Sequence, residues 1–373
     1  MSEVFIAKAG SYDEKELEPA IFKCLESSDF FGGVIRPGMK VLVKPNLLSC
    51  REPDACVTTH PNVLSTVVKA IRKAGAEPFA GDSPSVIKNG LPELWEKTGM
   101  LDVCRKAGVR LVSFEEDAFE TRKNGHSLWL TEYARRCDAI VSVPKMKTHT
   151  FTLMTGAIKN TYGFVPGYAK TRYHKMFPAV ESFSETLVNI FEIARPHFTV
   201  TDAVFAMEGN GPGAGTPKFV GAIVAGRDCV AIDASLAAIA GINPLKVRTT
   251  RIAGERNLGE SDLKKIRFPL LRPEDVKPAS FTVPKTKIYH ALPPAISKLL
   301  SRFFWIRPDF NDNCAACGIC VQKCPAKALK LKGRKPELAA AKCIECFCCQ
   351  EVCPNKAIGF RHSALANFIV NRL

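Results

Sequence analysis

The chain has 373 residues, enough to bury a sizeable core and to form two domains. Its composition, 46% hydrophobic and 24% charged, is that of an ordinary globular protein and excludes a largely disordered chain. A formal net charge of +15 favours phosphorylated or acidic ligands, an acidic partner protein or an anionic membrane surface, although solvated lysines explain most basic surfaces.

The N-terminal residues lack a basic stretch followed by an apolar run, so no signal peptide is expected. No segment approaches the ~18 continuous apolar residues of a membrane span. From the N-terminus to about residue 280, strand-like and helix-like segments alternate. Val4–Ala7 is a short apolar run and Glu14–Cys24 has helical spacing. Lys40–Val43 reads as a buried strand, Val63–Ala74 as a helix, Glu77–Ala80 as a strand and Leu91–Lys106 as mostly helical. Arg110–Phe114 and Ala139–Val143 read as strands, Ser182–Ala194 as a helix, and His197–Val200 and Phe219–Ala225 as strands. Asp228–Ala240 reads as a helix. The alternation predicts an α/β domain with a largely parallel sheet over residues 1–280. A linker at 281–310 follows, containing an amphipathic helix candidate, Ala295–Ile306. That helix is expected to pack within the protein, with peripheral membrane contact as the alternative. A two-cluster module at 311–360 and a tail helix at 361–373 complete the expected order.

The module is read from its cysteines. Cys314, Cys317, Cys320 and Cys324-Pro325 form one C-x-x-C-x-x-C-x-x-x-C-P run; Cys343, Cys346, Cys349 and Cys353-Pro354 form a second, displaced by 29 positions. This is the bacterial spacing for [4Fe–4S] ligation, in which the fourth cysteine of each run serves the other cluster. The expected sets are Cys314, Cys317, Cys320 and Cys353 for one cluster, and Cys343, Cys346, Cys349 and Cys324 for the other. Zinc knots would show paired C-x-x-C elements without the third cysteine or the closing C-P. Two oxidised cubanes lower the net charge by about 4, leaving the protein basic. The seven other cysteines are scattered and odd in number, which suits a reducing cytoplasm rather than a disulfide framework.

The strand ends are the second signal. Lys44-Pro45-Asn46, Asp82-Ser83, the run Lys145, Lys147, His149, and Asp202 with Glu208 each follow or close a predicted strand. In a parallel sheet these ends share the edge where open α/β folds bind ligands. Lys44, Asn46, Asp82, Ser83, Lys159, Asn160, Asp202 and Glu208 are therefore expected to bind an anionic substrate, with Lys145, Lys147 and His149 as catalytic groups. His149 is expected to supply protons, since an unperturbed imidazole titrates near pH 6.5. Thr155-Gly156-Ala157 is expected to open a helix whose free N–H groups accept an anion. Phe164–Val180, with Lys170 and His174, reads as a basic lid. The glycine run Gly209–Gly215 is rejected as a nucleotide loop, because a strand-like segment rather than a helix follows it.

The quoted strand ends, with Thr59-His60-Pro61, Gly156-Ala157-Ile158-Lys159-Asn160 and Gly226-Arg227-Asp228 leading to Asp233, resemble the Domain of Unknown Function 362 family. The cysteine repeat is similar to bacterial two-cluster ferredoxins. It departs from them in its basic charge and in Cys348, which stands beside a ligand. The family implies the fold and the clusters and leaves the reaction open.

The combined expectation is a cytoplasmic, ferredoxin-dependent oxidoreductase. It would carry electrons from an acidic carrier, a ferredoxin or flavodoxin, through two [4Fe–4S] clusters to an anionic small molecule. The alternative is a non-enzymatic electron-transfer or assembly subunit. No nucleic-acid motif is present, so no nucleic-acid partner is expected.

Overall fold

The computed structural model describes residues 1–84, 91–284, 305–364 and 367. The first domain begins with strand β1 (Phe5–Lys8), helix α1 (Glu14–Glu26), β2 (Lys40–Pro45), α2 (Pro61–Lys73) and β3 (Glu77–Asp82). Helices α3 (Leu91–Lys97) and α4 (Met100–Lys106) follow, split at Gly99, and lead to β4 (Leu111–Ser113). A hairpin, β5 (Ala118–Lys123) and β6 (His126–Thr131), precedes α5 (Tyr133–Arg136), β7 (Ala139–Val143), β8 (Lys145–His149) and β9 (Leu153–Thr155). Then come α6 (Ala157–Asn160), α7 (Gly167–Met176), α8 (Val180–Ile193), β10 (Phe198–Glu208), β11 (Thr216–Gly226), α9 (Cys229–Ile239) and α10 (Arg248–Glu255).

The main sheet runs β1-β11-β10-β7-β2-β3-β4, with β8 and β9 extending from β10. The pairs β2/β3, β3/β4, β2/β7 and β7/β10 are parallel. Strands β2 and β7 are buried almost throughout, as strands covered on both faces are. From β2 the chain moves outward to β3 and β4, and β7 starts again on the other side. The switch in winding thus lies between β2 and β7. In open α/β sheets the crevice beyond the strand ends at such a point is the usual ligand site.

Helix starts follow local chemistry. Asp228 Oδ1 accepts hydrogen bonds from the Val230 and Ala231 N–H groups at 2.9 and 3.1 Å, opening the almost wholly buried α9. Pro61 stands in the first turn of α2, where its missing N–H costs nothing.

The expected elements are present, with four differences. Lys145–His149 is a buried strand rather than a loop, held by parallel pairing to β10. Strand β11 is antiparallel to β10, so the glycine run closes a hairpin. The β5–β6 hairpin was not anticipated, although Asn124-Gly125, both at positive φ, is the two-residue turn such hairpins prefer. The second unit also begins ahead of residue 311, because β12 (Ile306–Phe310) pairs with β15 (Ile358–His362). The amphipathic helix expected at 295–306 lies outside the described residues, apart from its last two positions. The tail helix expected at 361–373 lies largely outside them.

The second unit contains α11 (Ile319–Gln322), β13 (Leu329–Lys332), β14 (Lys335–Leu338) and α12 (Cys348–Glu351). Its backbone repeats with the same step of 29 as its cysteines. Positive φ occurs at Ala316 and Glu345, at Gly318 and Phe347, and at Lys327 and Lys356. Helix α12 likewise follows α11 at that step.

Candidate functional site

Two small voids lie in the second unit. Cys314, Cys317, Cys320 and Cys353 line the first; Cys324, Cys343, Cys346 and Cys349 line the second. Each wall thus takes three close cysteines from one run and the fourth from the other. The thiols surround a volume instead of converging on a point. Among the described residues no group of three or more His, Cys, Asp or Glu side chains is placed to grip a single ion. Backbone N–H groups of Ala328 and Ala357 donate to Cys324 Sγ and Cys353 Sγ, each at 3.2 Å. Cavities walled by four sulfurs, with N–H donors aimed at sulfur, fit cubane clusters. Cys348 is buried but lines neither void.

A third cavity, of about 50 Å³, sits at the switch point. Its walls include Asn46 from the end of β2, Asp82 and Ser83 from β3, and Lys147 from β8. Thr155, Lys159 and Asn160 come from β9 and α6, Lys170 and His174 from α7, and Glu351 from α12 of the second unit. The strand ends thus meet as the parallel sheet requires.

The lysines here fall into two kinds. Lys44 is fully buried and pairs with Asp82 at 2.8 Å. Gly163 packs so tightly over this pair that any Cβ there would collide with both side chains. Lys145 is fully buried as well, 2.9 Å from Asp202 and 2.6 Å from the Tyr12 hydroxyl. By contrast, Lys147, Lys159 and Lys170 have no carboxylate within ion-pair distance among the described residues. Lys147 donates to Asn46 Oδ1 at 2.5 Å and to the Val57 carbonyl at 2.7 Å. Lys170 donates to the Ser83 carbonyl and hydroxyl. Lys159 lies over the Tyr162 ring. Burial depresses all three ammonium groups, Lys147 well below the ordinary lysine range and Lys170 to about 8.

His149 departs from its expected role. Its Nδ1 accepts from the Phe151 and Thr152 N–H groups, so the proton sits on Nε2. That atom lies 3.2 Å from Glu351 Oε1, off hydrogen-bond alignment, and the ring does not line the cavity. Burial lowers His149 to about 4, so it is neutral near pH 7. For Glu351, burial acts upward, but His149, Lys159 and His174 together hold it down to about 2. Lys145 and Asp202 do not line the cavity either; they neutralise one another beneath it. Glu208 turns away, its carboxylate accepting from the Thr282 N–H at 2.7 Å. The expected anion site at the start of α6 is already filled. The N–H groups of Ala157 and Ile158 donate to Asp233 at 2.5 and 3.1 Å.

The second unit docks on this same face. Arg51 donates to the carbonyls of Gly213 and Cys353, each at 2.6 Å, and Lys356 donates to that of Gly215 at 3.0 Å. Gln350 donates to the Asn210 carbonyl at 2.8 Å. Phe347 packs into the apolar cluster that holds Phe151 and Phe183. Glu351 and Phe347 were not anticipated as site residues. The signal was in the repeat, where they replace Gln322 and Gly318 of the first copy.

A family model described as a domain of unknown function, DUF362, matches residues 41–238, more than half of the chain. The chain belongs to the DUF362 family. A 4Fe–4S dicluster domain matches residues 309–354, so this DUF362 protein carries an iron–sulfur module with an electron-transfer role. A thylakoid-associated protein of Synechocystis sp. is 29% identical over 306 residues, covering 81% of this chain and 94% of the relative. Among solved structures, the lactate racemase apoprotein of Thermoanaerobacterium thermosaccharolyticum is 14% identical, with a TM-score of 0.38. That match covers 54% of this chain, which spans half of the neighbour's length. No described helix is long and apolar enough to cross a membrane.

Proposed function

We propose that this DUF362 protein is an iron–sulfur oxidoreductase acting on an anionic small molecule bound in the switch-point cavity. Two [4Fe–4S] clusters would supply single-electron transfer, one held by Cys314, Cys317, Cys320 and Cys353, the other by Cys343, Cys346, Cys349 and Cys324. The observation that carries this reading is Glu351. It stands between Cys349 and Cys353 in sequence and also forms a wall of the lysine-lined cavity. The substrate and the electron source thus share one residue's surroundings.

The chain's own residues divide the work. Lys147, Lys159 and Lys170 attract and hold the anion. Asn46 and Val57 fix Lys147, and Ser83 fixes Lys170. His149 stays neutral and positions Glu351. His174, rather than His149, faces the substrate; burial lowers it to about 4, so near pH 7 it is an uncharged hydrogen-bonding group. An acidic ferredoxin or flavodoxin is the electron donor that suits the basic module.

The test is anaerobic. Purified protein is reduced, freed of excess reductant, and mixed with phosphorylated and carboxylated metabolites while cluster absorbance is followed. Rapid reoxidation by one compound, slowed at least tenfold in Lys159→Gln, is the expected result. Intact clusters that no compound reoxidises would defeat the enzymatic reading and leave an electron-transfer or assembly subunit.

A further inference from the structure

We infer that the switch-point cavity binds the phosphoryl group of a small phosphate monoester as its dianion. The inference rests on the reading of this cavity as the substrate site and names the chemical class it takes.

Charge comes first. Lys44 and Asp82 cancel within their ion pair. The remaining charged walls are Lys147, Lys159 and Lys170 against the single carboxylate of Glu351. Among the described residues, lysines on these walls outnumber carboxylates. Unpaired buried charge is strongly unfavourable, so a bound anion stabilises the site, and a dianion meets the lysine excess best. Burial is what lowers the three lysines, a cost that a bound anion offsets.

Geometry selects the class. The three lysines come from separate elements, β8, α6 and α7, and line one cavity. Separate point donors suit a tetrahedral oxyanion, whereas a planar carboxylate is better met by the two-pronged guanidinium of arginine. Among the described residues no arginine lines the cavity. Besides Glu351 Oε1, which lies 3.2 Å from His149 Nε2, two buried polar atoms of its lining residues, Thr155 Oγ1 and His174 Nδ1, have no hydrogen-bond partner among the described residues. Both side chains are more than nine-tenths buried. Buried polar atoms in native proteins are nearly always satisfied, so these two point to a ligand that satisfies them. The enclosed space, about 50 Å³, exceeds the ~10–15 Å³ that a single water needs, which leaves room for a phosphoryl group.

The experiment is calorimetric titration of the anaerobic, cluster-loaded full chain with phenyl phosphate, inorganic phosphate and succinate at low salt. The expected result is one phenyl phosphate per chain, with succinate at least tenfold weaker. Tighter binding of inorganic phosphate than of the ester would overturn the monoester assignment. Lys170→Met and Thr155→Val should each weaken phenyl phosphate binding, the lysine variant at least tenfold. Lys159→Met, which removes no hydrogen bond, guards against misfolding of the other two and should also cost at least tenfold. Succinate binding as tightly as phenyl phosphate, or affinities unmoved in folded Lys159→Met and Lys170→Met proteins, would overturn the inference. Phosphate esters that bind but never reoxidise reduced clusters would defeat the oxidoreductase reading while leaving this one standing. Reoxidation by a carboxylate that phosphate esters do not displace would do the reverse.

Discussion

The lysines of Asp82 and Asp202 and the lysines of the cavity occupy neighbouring ground and do opposite things. Lys44 and Lys145 are fully buried against carboxylates, so their charges are spent inside the fold. Lys147, Lys159 and Lys170 are held by neutral oxygens or an aromatic face and keep their charge for something else. The difference teaches that a conspicuous cationic motif need not act as one unit. Within Lys145-Met146-Lys147, one lysine is paired with a carboxylate inside the fold and the next has only neutral partners among the described residues.

Four experiments sharpen or break that contrast. Lys145→Met should be the most damaging, since it leaves Asp202 buried without its counter-charge, at a cost of about 3–5 kcal/mol in denaturant unfolding. Adding Asp202→Asn should recover much of that loss; no recovery would mean that Lys145 serves in some role other than the pair. His174→Phe keeps a ring stacked on Phe183, where the centroids lie 4.2 Å apart, and removes a buried base. His174 faces Glu351, Lys159 and His149. Its folded value, about 4, lies below the unfolded value near 6.5, so the unfolded chain takes up the proton first. Stability from this group is complete above about pH 6.5 and is lost as pH falls toward 4. The phenylalanine variant should therefore gain up to about 3 kcal/mol relative to wild type at acid pH and nothing at pH 8, read from urea midpoints. Smallest of all, Lys159→Met should change stability by less than about 1 kcal/mol, because it removes a buried cation with no ion pair or hydrogen bond among the described residues, and relief of its burial offsets the lost attraction to Glu351. A large loss there would erase the distinction between the two lysine sets.

Much of this was legible in the sequence. Buried strands with polar ends pointed to the parallel sheet and to the edge where those polar residues gather. The cysteine spacing foretold which thiols line each void, including the exchange of Cys324 and Cys353. What was not legible was pairing. Lys145 and Asp202 are far apart in sequence, and nothing local shows that β8 would lie along β10 and bring them together. The free N–H groups expected after Gly156 were likewise claimed by Asp233, from a distant helix. Lys170 and His174, four residues apart, share a helix face, yet only the fold shows that this face closes the cavity. Phe347 and Glu351 needed the two cysteine runs to be compared position by position beyond the cysteines themselves.

Phe347 occupies the left-handed backbone position that Gly318 fills in the other half, a conformation costly for a bulky residue, and its ring is sunk in the main domain. A freely diffusing carrier must meet its target anew for each electron, so its delivery rate scales with concentration. A carrier fastened by a buried ring and by Arg51 meets its target once, when the chain folds. Electron delivery inside this protein should therefore follow first-order kinetics, indifferent to dilution, and only the reloading step should depend on how crowded the surroundings are.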